Sequence, residues 1–255
     1  SPRDSTFREF EGKFPFDETP DQMKAIDSTL VDMESGQAMD RLICGDVGYG
    51  KTEVAIRAAF KVLSEGFQVA VLVPTTVLAH QHEQSFRTRM KDFPVNIASV
   101  SRFKSAKDQK KILEDVEKGK IDVIIGTHRL LSRDVNFKNL ALVIVDEEHR
   151  FGVEHKEKLK TLRVNTHFLT LSATPIPRTL HMALAGLRDI SLINTAPINR
   201  LPIRTYVSKF DEDLVKRAIE MELSRGGQVF FVHNRVQSIY EIAQRIQELV
   251  PHAQV

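Results

Sequence analysis

The stretch Gly45-Asp46-Val47-Gly48-Tyr49-Gly50-Lys51-Thr52 has the spacing Gly, four residues, Gly, Lys, Thr. That is the phosphate-binding P-loop pattern. A polyphosphate needs backbone N–H groups turned inward and no side chain in its way. Glycines at 45, 48 and 50 permit the required backbone angles. Lys51 can reach the β- and γ-phosphates of a nucleotide, and the Thr52 hydroxyl can ligate Mg²⁺. Asp46 and Glu53 complete the candidate nucleotide-holding set with these residues. The plain alternative is a Gly-rich turn between a strand and a helix.

A second set is acidic. The apolar run Ala141–Val145 ends in Asp146-Glu147-Glu148-His149. Asp146 sits where a Walker-B Asp holds Mg²⁺, and Glu147 is placed to orient and deprotonate an attacking water. A positioned base of this kind contributes ~10²–10⁴-fold to rate. Taken alone, the same four residues are a solvated acidic turn. Leu171-Ser172-Ala173-Thr174-Pro175 follows another apolar run, and its hydroxyls can sense a γ-phosphate. Upstream, Thr19-Pro20 caps and opens a helix. Beside it Phe16 can stack on a base, or serve as a hydrophobic staple, and Gln22 can pair with an adenine edge.

These residues need a scaffold that gathers them, and the pattern supplies one. Candidate strands are Arg41–Cys44, Gln68–Pro74, Asn96–Val100, Asp122–Thr127, Ala141–Asp146, His167–Ala173 and Ile190–Thr195. Several are continuous apolar runs, as expected of parallel strands buried on both faces. Helix-period segments lie between them at Thr52–Leu63, Thr76–Met90, Ser105–Lys118, Glu154–Leu162 and Pro177–Ala185. Repeated strand–helix–strand units imply a doubly wound parallel α/β sheet. Ligands of such sheets sit at the carboxyl ends of the strands, and GDVGYGKT, PTT, GTH, DEEH and SAT all follow strand ends.

Residues 1–13 are expected to be an extension, 14–195 the first nucleotide-binding lobe and 196–202 a linker with two prolines. Residues 203–255 read as the start of a second lobe. They contain strands at Ile203–Ser208 and Gln228–His233, helices at Asp211–Ser224 and Val236–Leu249, and a Gly226-Gly227 turn. About fifty residues make a thin core, so this lobe is expected to be truncated. The chain opens with Ser, as an excised piece would.

Composition is that of an ordinary globular protein, 42% hydrophobic and 27% charged. No apolar run approaches the ~20 residues of a membrane span. A single cysteine, Cys44, excludes an internal disulfide and suits a reducing compartment. The net charge of +2 is compatible with nucleic acid but is no strongly basic footprint.

The ordered set GDVGYGKT, PTTVLAHQH, GTHRLL, VDEEHRFGV and TLSATPIPRTL resembles superfamily 2 helicases and translocases. Within them it is similar to the RecG-like helicases and the transcription-repair coupling factors. The latter are closer in Phe-Pro-Phe followed by TPDQ, in Ala-Met-Asp-Arg before the P-loop strand, and in Ser101-Arg102-Phe103. They are also closer in His155-Lys156-Glu157 after VDEEHRFGV and in the Gly226-Gly227-Gln228-Val229 turn. RecG-like chains usually read Asp-Glu-Gln-His where this chain has Asp146-Glu147-Glu148-His149.

The resemblance implies two RecA-like lobes with ATP and Mg²⁺ in the cleft and double-stranded DNA across the top. It implies a bacterial, cytoplasmic motor that acts at the nucleoid and pushes a stalled RNA polymerase forward, while domains outside this chain recruit excision-repair proteins. Carried over by position, Phe16 and Gln22 read adenine, and Lys51 and Thr52 bind phosphate and Mg²⁺. Asp146 and Glu147 serve metal and catalysis, and His149, Ser172 and Thr174 couple hydrolysis to motion. Thr75, Thr76, Arg102, Thr127, His128 and Arg129 fall on motifs that lie along the DNA backbone. For Arg102 and Arg129 the alternative is an ordinary solvated surface.

The family's later second-lobe motifs, including an arginine that reaches the γ-phosphate, have no counterpart before Val255. Loss of such an arginine costs ~10³–10⁵ in rate. The chain alone is therefore expected to bind ATP, hydrolyse it poorly and not translocate. Rival readings are a RecG-like fork remodeller, a P-loop phosphotransferase and a non-enzymatic ATP-gated binding module. A phosphotransferase lacks the ordered motifs that face DNA.

Overall fold

The computed structural model describes residues 4–101, 104–148, 151–152, 158–159, 166–173, 188–198 and 205–255. The chain divides into two compact units, Ser1–Arg200 and Leu201–Val255.

The first unit is built on seven parallel strands: β1 (Asp40–Gly45), β2 (Gln68–Leu72), β3 (Ile97–Val100), β4 (Val123–Gly126), β5 (Leu140–Asp146), β6 (His167–Ser172) and β7 (Asp189–Ile193). Their order across the sheet is β3-β4-β2-β5-β6-β1-β7. Helices α1 (Ser5–Gly12), α2 (Pro20–Glu34), α3 (Lys51–Ser64), α4 (Thr76–Met90) and α5 (Ala106–Glu117) accompany it. Alternation along each strand divides the core in two. Val69, Val71, Leu142, Ile144, Leu169 and Leu171 join the cluster that includes α1 to α4. Ala70, Leu72, Val143, Val145 and Phe168 join the cluster on the opposite face with α5. The continuous apolar runs are thus strands covered on both sides. The expected helices at 154–162 and 177–185 fall outside the described residues, apart from residues 158 and 159.

Within the N-terminal extension expected at residues 1–13, Ser5–Gly12 is a helix whose Phe7 and Phe10 are fully buried. Phe10 stacks on Phe60 of α3 at 3.9 Å between ring centroids. The helix is short and its apolar stripe holds few residues, so only packing stabilises it.

A charged cluster ties this region together. Arg57 of α3 is 1% exposed. Its Nε donates to Glu53 at 2.9 Å, one terminal nitrogen to Glu11 at 3.3 Å, and the other to Glu18. Arg89 of α4 donates to both oxygens of Glu53 at 2.9 and 2.7 Å and lies 4.2 Å from the centre of the Phe10 ring. Burial is the largest single influence on the Glu18 carboxyl and raises it, but the Arg57 hydrogen bond, a backbone hydrogen bond and the charges of Arg57 and Arg89 together outweigh it and hold the group below the ordinary value.

In the second unit, α6 (Glu212–Ser224) and α7 (Ile239–Leu249) pack through Ile219, Ile246 and Val250. The strands expected at 203–208 and 228–233 do not form among the described residues. Residues 205–208 and 228–233 join no ladder, and Phe230 is 96% exposed. Apolar composition makes a segment fit for a strand, but a two-stranded pair without further strands is marginal at best.

Removing the Arg57 guanidinium takes away the buried cation shared by Glu11, Glu18 and Glu53 and leaves Arg89 on Glu53. Arg57→Met is expected to lower stability by about 3–5 kcal/mol. The check is urea unfolding followed by circular dichroism, since the chain contains no tryptophan. A change below about 1 kcal/mol would mean the cluster contributes no more than a surface ion pair.

Candidate active site

Strand order and register bring the phosphate elements together. β6 pairs with β1 on one side and β5 on the other, with Cys44 opposite Ser172 and Asp146 opposite Leu171. The P-loop after β1, the Ser172 turn after β6 and the carboxylates after β5 therefore leave three adjacent strand ends. Cys44 is buried at the end of β1, where desolvation raises its thiol above the ordinary value, so it packs as an inert apolar residue.

The loop runs from Gly45 to the first residue of α3, Lys51. Gly48 and Gly50 have φ of 79° and 82°, the left-handed conformation that favours glycine. Lys51 Nζ donates to the carbonyls of Gly45 at 2.6 Å and Asp46 at 2.9 Å. Burial lowers the Lys51 ammonium from its ordinary value, against the pull of Asp146, Glu147 and Asp46. The α3 N-terminus directs its unsatisfied N–H groups at this loop, the arrangement that favours anions.

Gln22 locks the loop to α2. Its Oε1 accepts from the Thr19 N–H at 2.9 Å, its Nε2 donates to the Tyr49 carbonyl at 2.9 Å, and its own N–H donates to Thr19 Oγ1. This is a capping box whose glutamine also holds the P-loop. A cavity of 740 Å³ opens beside it, lined by Phe14, Phe16, Gln22, Gly48, Gly50 and Glu53 among others. Phe16 is 72% exposed there and lies three residues before the helix cap, so it is not a staple. Glu53 differs from expectation. It borders the cavity, but both carboxylate oxygens are bound to Arg57 and Arg89, which makes it an anchor of the charged cluster.

On the carboxylate side, Asp146 Oδ2 accepts from His82 Nε2 at 2.9 Å. Glu147 has φ of 53°, the only non-glycine with positive φ among the described residues. Such conformations persist where surrounding bonds impose them. Here its N–H donates to the Leu171 carbonyl at 2.9 Å and its Oε1 accepts from the Ala173 N–H at 3.0 Å. Glu148 accepts from Arg188 at 3.2 Å and from the Thr170 hydroxyl at 3.3 Å. Arg188 Nε also lies 2.9 Å from Asp40 Oδ1, an ion pair without hydrogen-bond alignment.

Thr52 and Asp146 line one groove of 500 Å³. Among the described residues no cluster of His, Cys, Asp or Glu could hold a metal by itself. A hydroxyl and one carboxylate do fit Mg²⁺, which keeps waters and takes its remaining oxygens from phosphates.

The other half of the sheet edge carries a second groove. Thr75, Thr76, Thr127, His128 and Arg129, with Ser101 and Gln109, line 400 Å³ after β2, β3 and β4. Arg129 is held by Asp134 in a bidentate pair at 2.8 and 2.6 Å. Arg102, His149 and Thr174 lie outside the described residues. The roles of His82, Arg89 and Arg188 come from contacts distant along the chain, and Arg57 adds Glu11 and Glu18 to its i,i+4 partner Glu53.

A methyl group at position 50 would lie 2.3 Å from Gln22 Nε2. Gly50→Ala is expected to cost about 1–3 kcal/mol, through left-handed strain and loss of the Gln22 bonds. In a Gln22→Ala background the cost should shrink, which thermal unfolding of the double-mutant cycle reads directly. Equal costs in both backgrounds would rule out the contact.

Comparison with known proteins places this geometry in a family. The model of the DEAD/DEAH box helicase family matches residues 19–183. A transcription-repair-coupling factor from Staphylococcus haemolyticus is 56% identical over 246 residues, covering 96% of this chain and 21% of the relative. One from Bacillus subtilis is 54% identical over 255 residues, covering 100% of this chain and 22% of the relative. The chain thus spans about a fifth of the length of these relatives. The structure of RecG bound to a three-way DNA junction superposes with a TM-score of 0.77 and 36% identity, over 95% of this chain and 33% of that one. The DNA-bound helicase MrfA, at 19% identity and a TM-score of 0.70 over 98% of this chain and 39% of that one, shares the fold. With the match running from the Thr19 cap through the P-loop and the β5 carboxylates, the chain belongs to the DEAD/DEAH box helicase family.

Proposed function

We propose that the chain is the ATP-hydrolysing part of a motor that moves along double-stranded DNA, within a transcription-repair coupling factor. The observation that carries this reading is the division of one sheet edge. P-loop, Ser172 and Asp146-Glu147 leave β1, β6 and β5, while the Thr75, Thr127 and Arg129 groove leaves β2 and β4 beside them. Identity of 54–56% to proteins named transcription-repair-coupling factors favours that member of the family.

In this reading Lys51 exchanges the Gly45 and Asp46 carbonyls for phosphate oxygens, and Thr52 and Asp146 hold Mg²⁺. The bound metal neutralises charge on the phosphates. Glu147 takes the proton of the attacking water. Its bond to the Ala173 N–H ties that event to the segment after Ser172. Phe16 offers its face to the adenine. Gln22, bonded on both sides, keeps one N–H and one lone pair for the base edge. His149 and Thr174 act in coupling, and Arg102 joins the DNA track. Contacts to phosphates position a motor without reading sequence, which suits movement along any duplex. RNA polymerase and the excision-repair proteins are the partners of the whole protein.

A second reading, a junction-remodelling helicase, draws on the 36% identity to RecG. Displacement of a stalled polymerase, compared with unwinding of a three-way junction, separates the two.

Steady-state ATP hydrolysis in the full-length context is the first test. Duplex DNA should stimulate it. Glu147→Gln should lower kcat by about 10²–10⁴-fold while nucleotide still binds. Turnover indifferent to DNA would return the chain to the phosphotransferase reading.

Arg129 has to release Asp134 before it can take a DNA phosphate. Asp134→Asn is therefore expected to tighten duplex binding and steepen its log–log salt dependence by about one. An unchanged slope would set Arg129 off the DNA path.

A further inference from the structure

One buried side chain joins the two halves of the sheet edge. His82 lies on α4, the helix that follows β2, about two turns (roughly 10 Å) beyond its Thr75 cap. Thr75 and Thr76, at the start of that helix, line the DNA-side groove. His82 Nε2 reaches across to Asp146 Oδ2, at the end of the neighbouring strand β5, at 2.9 Å. A carboxylate only accepts, so the proton lies on Nε2. The ring is 5% exposed, and its Nδ1 is buried with no hydrogen-bond partner. An unsatisfied buried atom calls for an explanation. An apolar residue would fill this place without that cost, and what the imidazole adds is the single bond to Asp146.

We infer that His82 is a positioning residue that sets the orientation of the Asp146 carboxylate for Mg²⁺, and so ties the metal site to the helix that borders the DNA groove. A carboxylate held through one oxygen loses its rotation and presents the other in one direction. Outer partners of metal-binding side chains act in this way, and their loss costs about 10–100-fold in metal affinity. Thr52, His82 and Asp146 line the same groove, so the set is already assembled around the place the ion would take. The inference rests on the assignment of Asp146 as a metal ligand.

The test is a Mg²⁺ titration of the full chain with a fluorescent non-hydrolysable ATP analogue, starting from EDTA. His82→Leu keeps the buried volume and removes the donor, with His82→Met as its replacement if Leu prevents folding. His82→Gln keeps an N–H at similar reach. The apolar variant should raise the Mg²⁺ concentration at half-effect by about 10–100-fold, with metal-free affinity unchanged, and Gln should restore it to within a few-fold. Asp146→Asn should remove the Mg²⁺ effect altogether. If Asp146→Asn does so while the apolar variant titrates as wild type, the role of His82 is overturned and the metal site stands. If Asp146→Asn leaves the titration unchanged, the metal assignment falls and the inference with it.

Discussion

The site depends on one set of backbone hydrogen bonds, those that hold β6 between β1 and β5. Parallel pairing fixes which residues end level with one another. A shift of one residue in β6 would reverse its faces, taking Leu169 and Leu171 out of one core and Phe168 out of the other. Burial on both sides therefore enforces the register. Through it the P-loop, the Ser172 turn and the Glu147 main chain meet. The left-handed backbone of Glu147 follows directly, because its N–H is drawn to Leu171 and its carboxylate to Ala173.

Around this centre, charge does what apolar packing does elsewhere. Arg57 and Arg89 gather Glu11, Glu18 and Glu53 from three separate parts of the chain and cover the aromatic faces of Phe10 and Phe14. A buried charge is tolerated only when paired and hydrogen-bonded, so the cluster specifies where α1 and the segment around Phe16 must lie. The cavity beside the P-loop takes its wall from that placement. Arg188 plays the corresponding part for Glu148 behind the other carboxylates.

Much of this was legible in the sequence. The P-loop and the strand-end motifs are local patterns whose chemistry depends on residues a few positions apart, and the seven strands expected in the first lobe appear within one or two residues of their expected ends. Their common edge follows because parallel strands all point one way, so the loops after them leave the same end of the sheet. What escaped was set by distance in sequence. Ser5–Gly12 has too few apolar residues to announce a helix, and its place is decided by Phe60 and Arg57 about fifty positions on. Glu53 reads as part of a nucleotide site because it follows Thr52, yet two arginines occupy its carboxylate. Phe230 and Val232 read as a strand, yet they join no ladder.

By itself, then, the sequence determined the chemistry on offer and the class of fold: a phosphate loop, paired carboxylates and hydroxyl turns, each ending an apolar run. Spacing along the chain is enough for that, since a P-loop or a buried strand is defined by its neighbours. Only the tertiary structure decided which groups share a bond. It assigned His82 to Asp146, Gln22 to Tyr49, Arg129 to Asp134, and Glu53 to the arginines. Polar side chains choose partners by direction and distance in space, and those exist only once the sheet has brought remote strand ends together.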